Sequence, residues 1–503
     1  MKIDYYGHNC YVLSGKHVKI VTDPWLSEKG AFLGSWFQWP INHHLINNLT
    51  EDLSNEENTY IYISHEHQDH FDLETLNKLR QVCSKCIIPL FHDKYLKNQL
   101  NHLGYKIIEL NDKERFNISV NDRIELYIVD NGVNHDSAAI IEIENKVFLN
   151  QNDCKIFDRL RTFSKRKIDY YAVQFSGATW HPVCYDYDND KKVSISQKKV
   201  LSKLLNVKKS LQKIKPQYYF PSAGPPIFPF LDKNLSLGEG NIFVHQNILA
   251  KYLEKIDVEI IYLKPGETFG ETEHKNPIMP PSIYELRDVN DKVDCIFDHI
   301  KDSDLDIEKL KASIHERLNK IHNLKFNKCP IIYFNWGEKD KFKGIKIDIN
   351  AGIVLDTKEI DSNEFIELIA SPSYFHLMSD KNFRWQDIYL SLRAKVRRHP
   401  DVFNTFTNIF LFSDASNISN AFQSTLNINN ERIVIVNETN GKPYEINRYC
   451  PHNGADLIDA FIGEDGMLIC PRHSWEFDLV DGGKCSHANV SIQAEEINGK
   501  KFK

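Results

Sequence analysis

Two short arms near the C-terminus each carry one cysteine and one histidine. The first arm is Cys450-Pro-His452 and the second is Cys470-Pro-Arg-His473, with seventeen residues between them. Four side chains with metal-binding atoms at this spacing are hard to reconcile with chance, so both loops must fold around one centre. The surrounding sequence has short strands such as RIVIVNE, turn-rich connections and no long helix. It therefore predicts a small all-β metal-binding domain over residues 406–503.

The pairing of ligands within each arm indicates which centre this is. In a Rieske [2Fe–2S] cluster two thiolates hold one iron and two imidazoles hold the other. A structural Cys₂His₂ zinc site needs the same ligand types, but it usually pairs cysteine with cysteine and histidine with histidine in sequence. Here each arm carries one of each. We therefore predict a Rieske cluster bound by Cys450, His452, Cys470 and His473.

Arg472 indicates which type of Rieske domain this is. Respiratory Rieske proteins carry an additional disulfide-forming cysteine on each arm, whereas this chain has Arg472 in the second arm and no cysteine in the loop after His452. The domain thus resembles the oxygenase or ferredoxin type. Fewer hydrogen bonds to the sulfurs lower the reduction potential, which suits a donor to an oxygen-activating site.

Bulk properties limit the setting in which such a cluster works. A chain of 503 residues is too long for one hydrophobic core, and about two to four domains are expected. The net charge of −7 gives no support for a nucleic-acid partner. No apolar run approaches the roughly 20 residues that span a bilayer, and no secretory signal is visible, so we expect no membrane association. Ten scattered cysteines without a disulfide framework favour a cytoplasmic location.

A second metal-binding pattern lies in the first segment, residues 1–270, where short strands alternate with helices. His65-Glu66-His67-Gln68-Asp69-His70 directly follows the apolar strand YIYIS (60–64). A strand that ends in this pattern places several ligands in one loop at its carboxyl edge. Imidazole and carboxylate ligands suit zinc, iron or manganese. The segment from 196 to 214 is predicted to be an amphipathic helix.

This loop, followed by His135 and Asp153, resembles the metallo-β-lactamase fold, an αββα sandwich. The resemblance implies that His65, His67 and His135 form one triad, and that Asp69, His70 and Asp153 build or bridge a second metal site. It also implies that Asp23 orients a ligating imidazole. The final histidine of that family usually follows a late strand, here QYYFPSAG (217–224), where the chain has serine, alanine and glycine. The second metal site is therefore incomplete, or it uses His181 or His245, for each of which a structural role is favoured.

The middle segment, residues 283–405, follows a linker rich in proline, glycine and charge at 265–282. A helix over IEKLKASIHERLNKIHN, three strands (PIIYFNW, GIKIDI and GIVLDT) and a helical run from EFIELIA to IYLSLRAKVRR are expected. The helix–strands–helix order gives this α+β unit a weak resemblance to sterol-carrier-like folds. It contains no recognisable catalytic constellation.

The pairing of a Rieske cluster with a lactamase-like site resembles CMP-N-acetylneuraminate hydroxylase. Shared stretches include TDPWL (22–26), YISHEHQDHFDLETLNKL (62–79) and KPGETF (264–269). In that family the Rieske domain comes first, whereas here it comes last, so shared chemistry transfers better than shared substrate. The resemblance implies an O₂-dependent monooxygenase, with a nucleotide sugar or amino sugar as the substrate class.

The chemistry of the two centres leads to the same hypothesis. Hydrolysis at a zinc pair needs no electrons, whereas dioxygen activation needs them one at a time at a redox-active metal. We therefore predict iron, mononuclear or dinuclear, in the N-terminal site, fed by the Rieske cluster, with catalytic residues His65, His67, Asp69, His70, His135 and Asp153. The product is hydroxylated or N-oxygenated, and an external reductase, ferredoxin or cytochrome b5-like protein supplies the electrons. Two alternatives are a zinc hydrolase with a redox-sensing Rieske module and a non-catalytic electron carrier.

Weaker signals remain. Seven lysines lie at 198, 199, 203, 208, 209, 213 and 215. They solvate the outer face of the predicted helix, or they bind an acidic electron donor or an anionic substrate. Trp25, Trp36, Phe37 and Trp39 fit a substrate pocket or a packed core equally well.

Overall fold

The computed structural model describes residues 1–54, 58–131, 134–271, 273–289, 305–337, 341–380 and 383–497. The first part of the chain forms two seven-stranded sheets. The first sheet has the order β14-β1-β2-β3-β4-β5-β6. Its strands are β1 Lys2–Gly7, β2 Cys10–Ser14, β3 Lys19–Thr22, β4 Thr59–Tyr62, β5 Lys85–Pro89, β6 Lys106–Leu110 and β14 Glu267–Thr268.

The second sheet has the order β13-β12-β11-β10-β9-β8-β7. Its strands are β7 Arg115–Asn117, β8 Arg123–Asn131, β9 Asn134–Ile143, β10 Lys146–Asn152, β11 Tyr170–Gln174, β12 Tyr218–Ser222 and β13 Glu259–Ile260. The helices in this part of the chain are α1 Ile46–Leu53, α2 Leu73–Leu79, α3 Tyr95–His102, α4 Leu160–Phe163, α5 Asn189–Ile214, α6 Lys233–Ser236 and α7 Gln246–Tyr252, with short 3₁₀ helices at His43–Leu45 and Phe157–Arg159.

The two sheets pack face to face. Alternate residues of β9, such as Ala139 and Ile141, join the core shared with the first sheet, while Ile140 faces the opposite way, toward α5 and α7. Helices α1 to α3 cover the first sheet through Leu49, Leu76 and similar residues. Burial on both faces explains why the strands are apolar almost throughout. The layers form the predicted αββα sandwich.

Helix α5 begins seven residues before its predicted start. The Asp188 side chain caps its N-terminus by accepting a hydrogen bond from the Lys191 N–H (2.8 Å). The first two turns are largely polar, so the apolar periodicity on which the prediction depended, which begins at Val200, does not extend to them. The helix ends as predicted, at Ile214, where Lys215 takes a left-handed conformation (φ 53°).

The middle part contains a five-stranded sheet of order β17-β16-β15-β18-β19. Its strands are β15 Ile331–Asn335, β16 Gly344–Asp348, β17 Ile353–Thr357, β18 Phe365–Ile369 and β19 Lys395–His399, and its helices are α8 Ile307–Ile321, α9 Pro372–Met378 and α10 Gln386–Leu390. The expected helical run from EFIELIA to IYLSLRAKVRR is only partly correct, because α9 and α10 lie within it but its two ends are strands. Most of EFIELIA forms β18, which runs parallel to β15, and the end of the run forms β19. Sheet pairing overrides helix propensity because it buries Leu368 and places Glu367 against Arg397.

Helices α11 Thr405–Phe412 and α12 Ile418–Leu426 precede the Rieske strands. Although the predicted boundary assigns them to the C-terminal domain, Phe406, Phe410 and Phe422 pack in the core of the middle part. The same core includes Trp25, Phe32 and Trp36 of the N-terminal part. The aromatic residues Trp25, Trp36, Phe37 and Trp39 therefore lie largely in a packed core. This core joins the middle part to the part that carries the metal loop.

The C-terminal part has two small antiparallel sheets, of order β20-β21-β26 and β22-β23-β24-β25. Its strands are β20 Arg432–Asn437, β21 Lys442–Asn447, β22 Phe461–Ile462, β23 Leu468–Ile469, β24 Glu476–Asp478, β25 Lys484–Cys485 and β26 Glu495–Glu496, with a 3₁₀ helix at Leu457–Asp459. This is the small all-β fold that the sequence predicts. None of the helices in the described ranges has the length and apolar character needed to cross a bilayer.

Candidate metal centres

The two cysteine–histidine arms are near copies of each other. In the first arm the Cys450 N–H donates to the Ala455 carbonyl (2.9 Å), and the Gly454 N–H donates to the Cys450 carbonyl (2.8 Å). In the second arm the same two bonds link Cys470 to Trp475 (2.8 Å) and to Ser474 (2.9 Å). Gly454 and Ser474 share a left-handed conformation, with φ 61° and 57°. Two matching turns thus present matching ligands.

The four predicted cluster ligands meet at the tips of these arms. Cys450 and Cys470 are buried and lie within hydrogen-bonding distance of each other. The rings of His452 and His473 lie 4.7 Å apart, and the Trp475 indole stacks on His452 at 4.0 Å. The buried His452 Nδ1 has no hydrogen-bond partner among the described residues. Cys450 and the backbone N–H groups of Arg472 and His473 lower the pKa of Cys470 against the effect of burial. This donor set fits a Rieske cluster.

In the N-terminal part, Asp23 organises the second centre. Its carboxylate accepts hydrogen bonds from the Ser64 N–H (2.7 Å), the Ser64 hydroxyl (2.6 Å) and the Asn9 amide (2.7 Å). Its Oδ2 also lies 2.8 Å from His70 Nδ1. A carboxylate on Nδ1 fixes the tautomer and leaves Nε2 free to bind a metal ion. This is the role that the resemblance implied for Asp23.

His70 stands between two groups of possible ligands. Its Nε2 lies 3.5 Å from Asp153 Oδ1 and 3.7 Å from Asp69 Oδ2. His65, His70 and Asp153 form one group and His8, Asp69 and His70 form the other, with the ligand atoms of each group within 4.8 Å of one another. His70 Nε2 and Asp153 Oδ1 are buried and have no hydrogen-bond partner among the described residues. Two orphaned polar atoms that face each other fit a bound cation.

The electrostatics favour the same conclusion. Burial alone would lower the pKa of His70, but Asp153, Asp69 and Asp23 outweigh it and raise the pKa to about 10. Burial would raise the pKa of Asp69, but His70 and His8 lower it to about 2. The site thus concentrates negative charge around one imidazole, a charge that a divalent cation neutralises.

His8 is a candidate ligand that the sequence interpretation missed. It lies in the turn between β1 and β2 with φ 52°, and its Nε2 is 3.1 Å from Asp69 Oδ2. The residues at the end of β12, where the late-strand histidine is missing, contact this turn. The Ser222 hydroxyl donates to the Asn9 side chain (2.7 Å), and the Ala223 N–H donates to the His8 carbonyl (3.0 Å). The end of β12 therefore holds the turn that presents His8. The only local signal was the sequence Gly7-His8-Asn9 between two strands.

Asp136, rather than His135, faces the cluster. Asp136 Oδ1 lies 3.4 Å from His65 Nδ1. The neighbouring His135 points to the other side of β9, where its Nδ1 is 2.6 Å from Asp130 and its Nε2 is 3.2 Å from the Asn417 amide. The structure therefore does not bring His135 into the predicted triad. Successive strand residues face opposite ways, so a difference of one position changes the ligand.

The remaining predicted residues are His67, His181 and His245. His67 Nδ1 is 2.8 Å from His65 Nε2, at the edge of the cluster. His181 packs against Tyr185 and Tyr187 instead. His245 lines a pocket of about 10 Å³ together with His8, which is room for about one water molecule. Burial lowers the pKa of His245 to about 4. Neither His181 nor His245 belongs to the ligand groups found among the described residues.

The middle part contacts the metal loop directly. The Gln68 amide donates to Asp387 (2.9 Å), and Arg384 pairs with Glu66 (2.8 Å). Burial raises the pKa of Asp387 to about 7, with a further contribution from Asp414 against the opposing charge of Arg384. The middle part, which has no recognisable catalytic motif, thus helps to hold the loop that carries the metal-binding motif.

Comparison with known proteins identifies both ends of the chain. A beta-lactamase superfamily domain matches residues 2–137, and a Rieske [2Fe-2S] domain matches residues 408–501. The chain combines a metallo-β-lactamase fold with a C-terminal Rieske domain. The predicted fold class is confirmed, and the Rieske match supports the [2Fe–2S] cluster and places the chain among redox proteins.

Relatives of this Rieske–lactamase-fold chain differ in how much of it they cover. A Mycobacterium tuberculosis protein, provisionally named Rieske 2Fe-2S iron-sulfur protein, is 25% identical over 520 residues, with 96% of this chain and 98% of the relative covered. The cytidine monophosphate-N-acetylneuraminic acid hydroxylase of Danio rerio is 27% identical over 238 residues, covering 44% of this chain and 38% of its own. The ferredoxin component of an alkene monooxygenase system from Xanthobacter autotrophicus is 33% identical over 64 residues, covering 13% and 52%.

Proposed function

We propose that the protein is a Rieske-coupled, iron-dependent monooxygenase that inserts one oxygen atom into a C–H or N–H group of a polar substrate. The observation that carries this proposal is the direct contact between the two metal-binding parts. Arg472, next to His473, forms a buried ion pair with Asp158 (2.6 Å). Asp158 is five residues beyond Asp153, so their Cα atoms are at most about 17 Å apart. Neither centre needs a second chain to approach the other.

Each centre has the residues that its role requires. Cys450, His452, Cys470 and His473 would hold the [2Fe–2S] cluster, which carries one electron at a time. His65, His67, Asp69, His70 and Asp153, with His8 and Asp136, would hold iron, which supplies the chemistry of dioxygen reduction. Asp23 fixes the His70 tautomer, and Ser64 keeps Asp23 in place. His135, which the family resemblance implied for the first triad, has no part in this set.

The relatives support the reaction class without settling the substrate. One is a hydroxylase of a nucleotide sugar and another is a ferredoxin component of a monooxygenase system. For this chain we propose an external electron donor, a reductase, ferredoxin or cytochrome b5-like protein, and a nucleotide sugar or amino sugar as the substrate class.

Metal analysis of the purified protein tests the proposal. We expect more than two iron atoms per chain, a Rieske-type electron paramagnetic resonance signal and a separate iron signal. His65→Ala should remove only the additional iron, and Cys470→Ser only the cluster. After anaerobic reduction, O₂ should reoxidise the cluster faster in the wild type than in His65→Ala, and ¹⁸O from O₂ should enter the product. Two iron atoms plus zinc, with product labelled only from water, would establish a zinc hydrolase instead.

A further inference from the structure

Three lysines lie at the junction between the two centres. Lys199 and Lys203 are one turn apart on α5, and Lys155 follows the ligand Asp153 by two residues. Helix α5 is fixed against the second Rieske arm, because Ser202 hydrogen-bonds Ser474 and the Asn206 amide lies 3.5 Å from the Pro471 carbonyl. Lys199 and Lys203 therefore lie on the side of α5 that meets the cluster arm, not on its solvated outer face.

These three lysines are partly exposed, so solvent can reach them. Lys155, Lys199 and Lys203 are each half-buried, as are Asp153 of the N-terminal centre and both cluster histidines. Burial nevertheless lowers the pKa of Lys199 and of Lys203 to about 7. Lys199 and Lys203 are therefore closely surrounded by protein although part of each side chain reaches solvent.

The charged groups that act on Lys199 are positive. They are Lys155 and Arg398, and both repel it, although Arg398 itself pairs with Asp401 (2.6 Å). Lys155 also repels Lys203, whose ammonium donates to the Gln174 side chain (2.6 Å). Asp153 and Asp136 attract Lys155 and Lys203, but they lie at the metal site, where a bound cation would take up their charge. With a cation bound there, the three amines would attract an anion more strongly.

We propose that Lys155, Lys199 and Lys203 form a binding site for an oxyanion, a phosphate or carboxylate group of the substrate. Ammonium groups that lie at one junction can form charge-assisted hydrogen bonds with such a group. Its position between the cluster histidines and the N-terminal ligands would hold the substrate where both centres meet. The role of the anion as part of the substrate rests on the proposed oxygenase function, whereas anion binding itself does not.

The binding step can be measured without turnover. Protein loaded with cluster and metal, in a chloride-free buffer, is titrated calorimetrically with methyl phosphate and separately with propionate. We expect one of them to bind with one-to-one stoichiometry, and the one that binds identifies the group as phosphate or carboxylate. Lys199→Gln and Lys203→Gln should each weaken binding about tenfold or more, which is the loss expected for one charged hydrogen bond.

Lys198→Gln is the matched control, since it removes the same charge from an exposed position on the same helix. It should leave binding within about twofold of wild type, because a solvated surface charge contributes little. An unchanged Rieske resonance signal and melting temperature verify folding of each variant. Absence of binding by both probes, or equal weakening in all three variants, overturns the inference. An inactive oxygenase that still binds the probe through Lys199 and Lys203 would overturn only the proposed function.

Discussion

The Arg472 guanidinium donates a 2.6 Å hydrogen bond to the Asp158 carboxylate, and both side chains are 4% exposed. The same guanidinium donates to the Asn453 carbonyl of the other cluster arm (2.9 Å). One side chain thus ties both arms to the 3₁₀ helix that follows Asp153. Arg472, which distinguishes this domain from the respiratory type by sequence, is thus also a residue that docks the domain on the N-terminal part.

Removal of one partner of this pair should therefore loosen the docking. We expect Asp158→Ala to destabilise the protein by about 3–5 kcal/mol, because it leaves the Arg472 charge buried without a counter-ion. Reoxidation of the reduced cluster by O₂ should slow as well, since the arm is no longer held against the N-terminal part. Thermal unfolding and stopped-flow absorbance measure the two effects.

Two comparisons make this prediction specific. Arg161 pairs with Asp459 at the same junction, but its side chain is 58% exposed, so Arg161→Gln should cost at most about 1 kcal/mol. Asp158→Leu combined with Arg472→Met removes both charges and should recover most of the stability. If Asp158→Ala and Arg161→Gln prove equally mild, the buried pair does not hold the junction.

Asp23→Asn should weaken metal binding at the N-terminal centre. An amide that replaces the carboxylate cannot hold the His70 tautomer as firmly, and loss of such a supporting partner costs about 10- to 100-fold in metal affinity. Metal content after dialysis against a weak chelator measures the change. Asp169→Asn is the control, because Asp169 is equally buried and pairs with Lys146 (3.0 Å) away from the cluster. Its metal content should match that of the wild type, and a similar loss in both variants would refute the role of Asp23.

His8→Ala and His135→Ala distinguish the ligand set of the structure from the one expected from the sequence. We expect His8→Ala to lower the metal content of the N-terminal site, since it removes one member of the group with Asp69 and His70. His135→Ala should retain the metal and lose stability instead, because it removes the hydrogen bonds of His135 to Asp130, which keeps His92 as a partner, and to the buried Asn417 amide. Metal analysis paired with thermal unfolding separates the two, and metal loss in His135→Ala alone would restore the original triad.

The two centres differ in how far their sequences reveal them. The cluster arms are local: each turn is closed by its own backbone hydrogen bonds, so spacing alone identified Cys450, His452, Cys470 and His473 as ligands. The N-terminal centre is assembled from several strands. Whether His135 or Asp136 faces it depends on the pleat of β9, and His8 reaches it because the distant residue Ser222 holds the turn. Neither relationship appears in the spacing of residues. The strands β18 and β19 were missed for a similar reason, because their pairing partners are non-local.

The stability of the junction between the middle part and the metal loop should fall as pH rises. Burial, with Asp414, raises the pKa of Asp387 from 3.8 to about 7, so the folded protein binds a proton that the unfolded chain releases. This contribution to the free energy of unfolding is complete below pH 3.8 and is lost as pH rises through about 7, at up to about 1.4 kcal/mol per pH unit. Asp387→Asn keeps the shape and the oxygen that accepts from Gln68 (2.9 Å) but cannot ionise.

We therefore expect the melting temperature of Asp387→Asn to decline less than that of the wild type between pH 5 and pH 8. Part of the decline should remain, because burial and Asp414 also raise the pKa of Asp93 to about 7. The variant should be no less stable than the wild type at the upper end of this range, where the wild type carries a buried carboxylate. Parallel curves for the two proteins would mean that Asp387 is already ionised in the folded state, held so by Arg384.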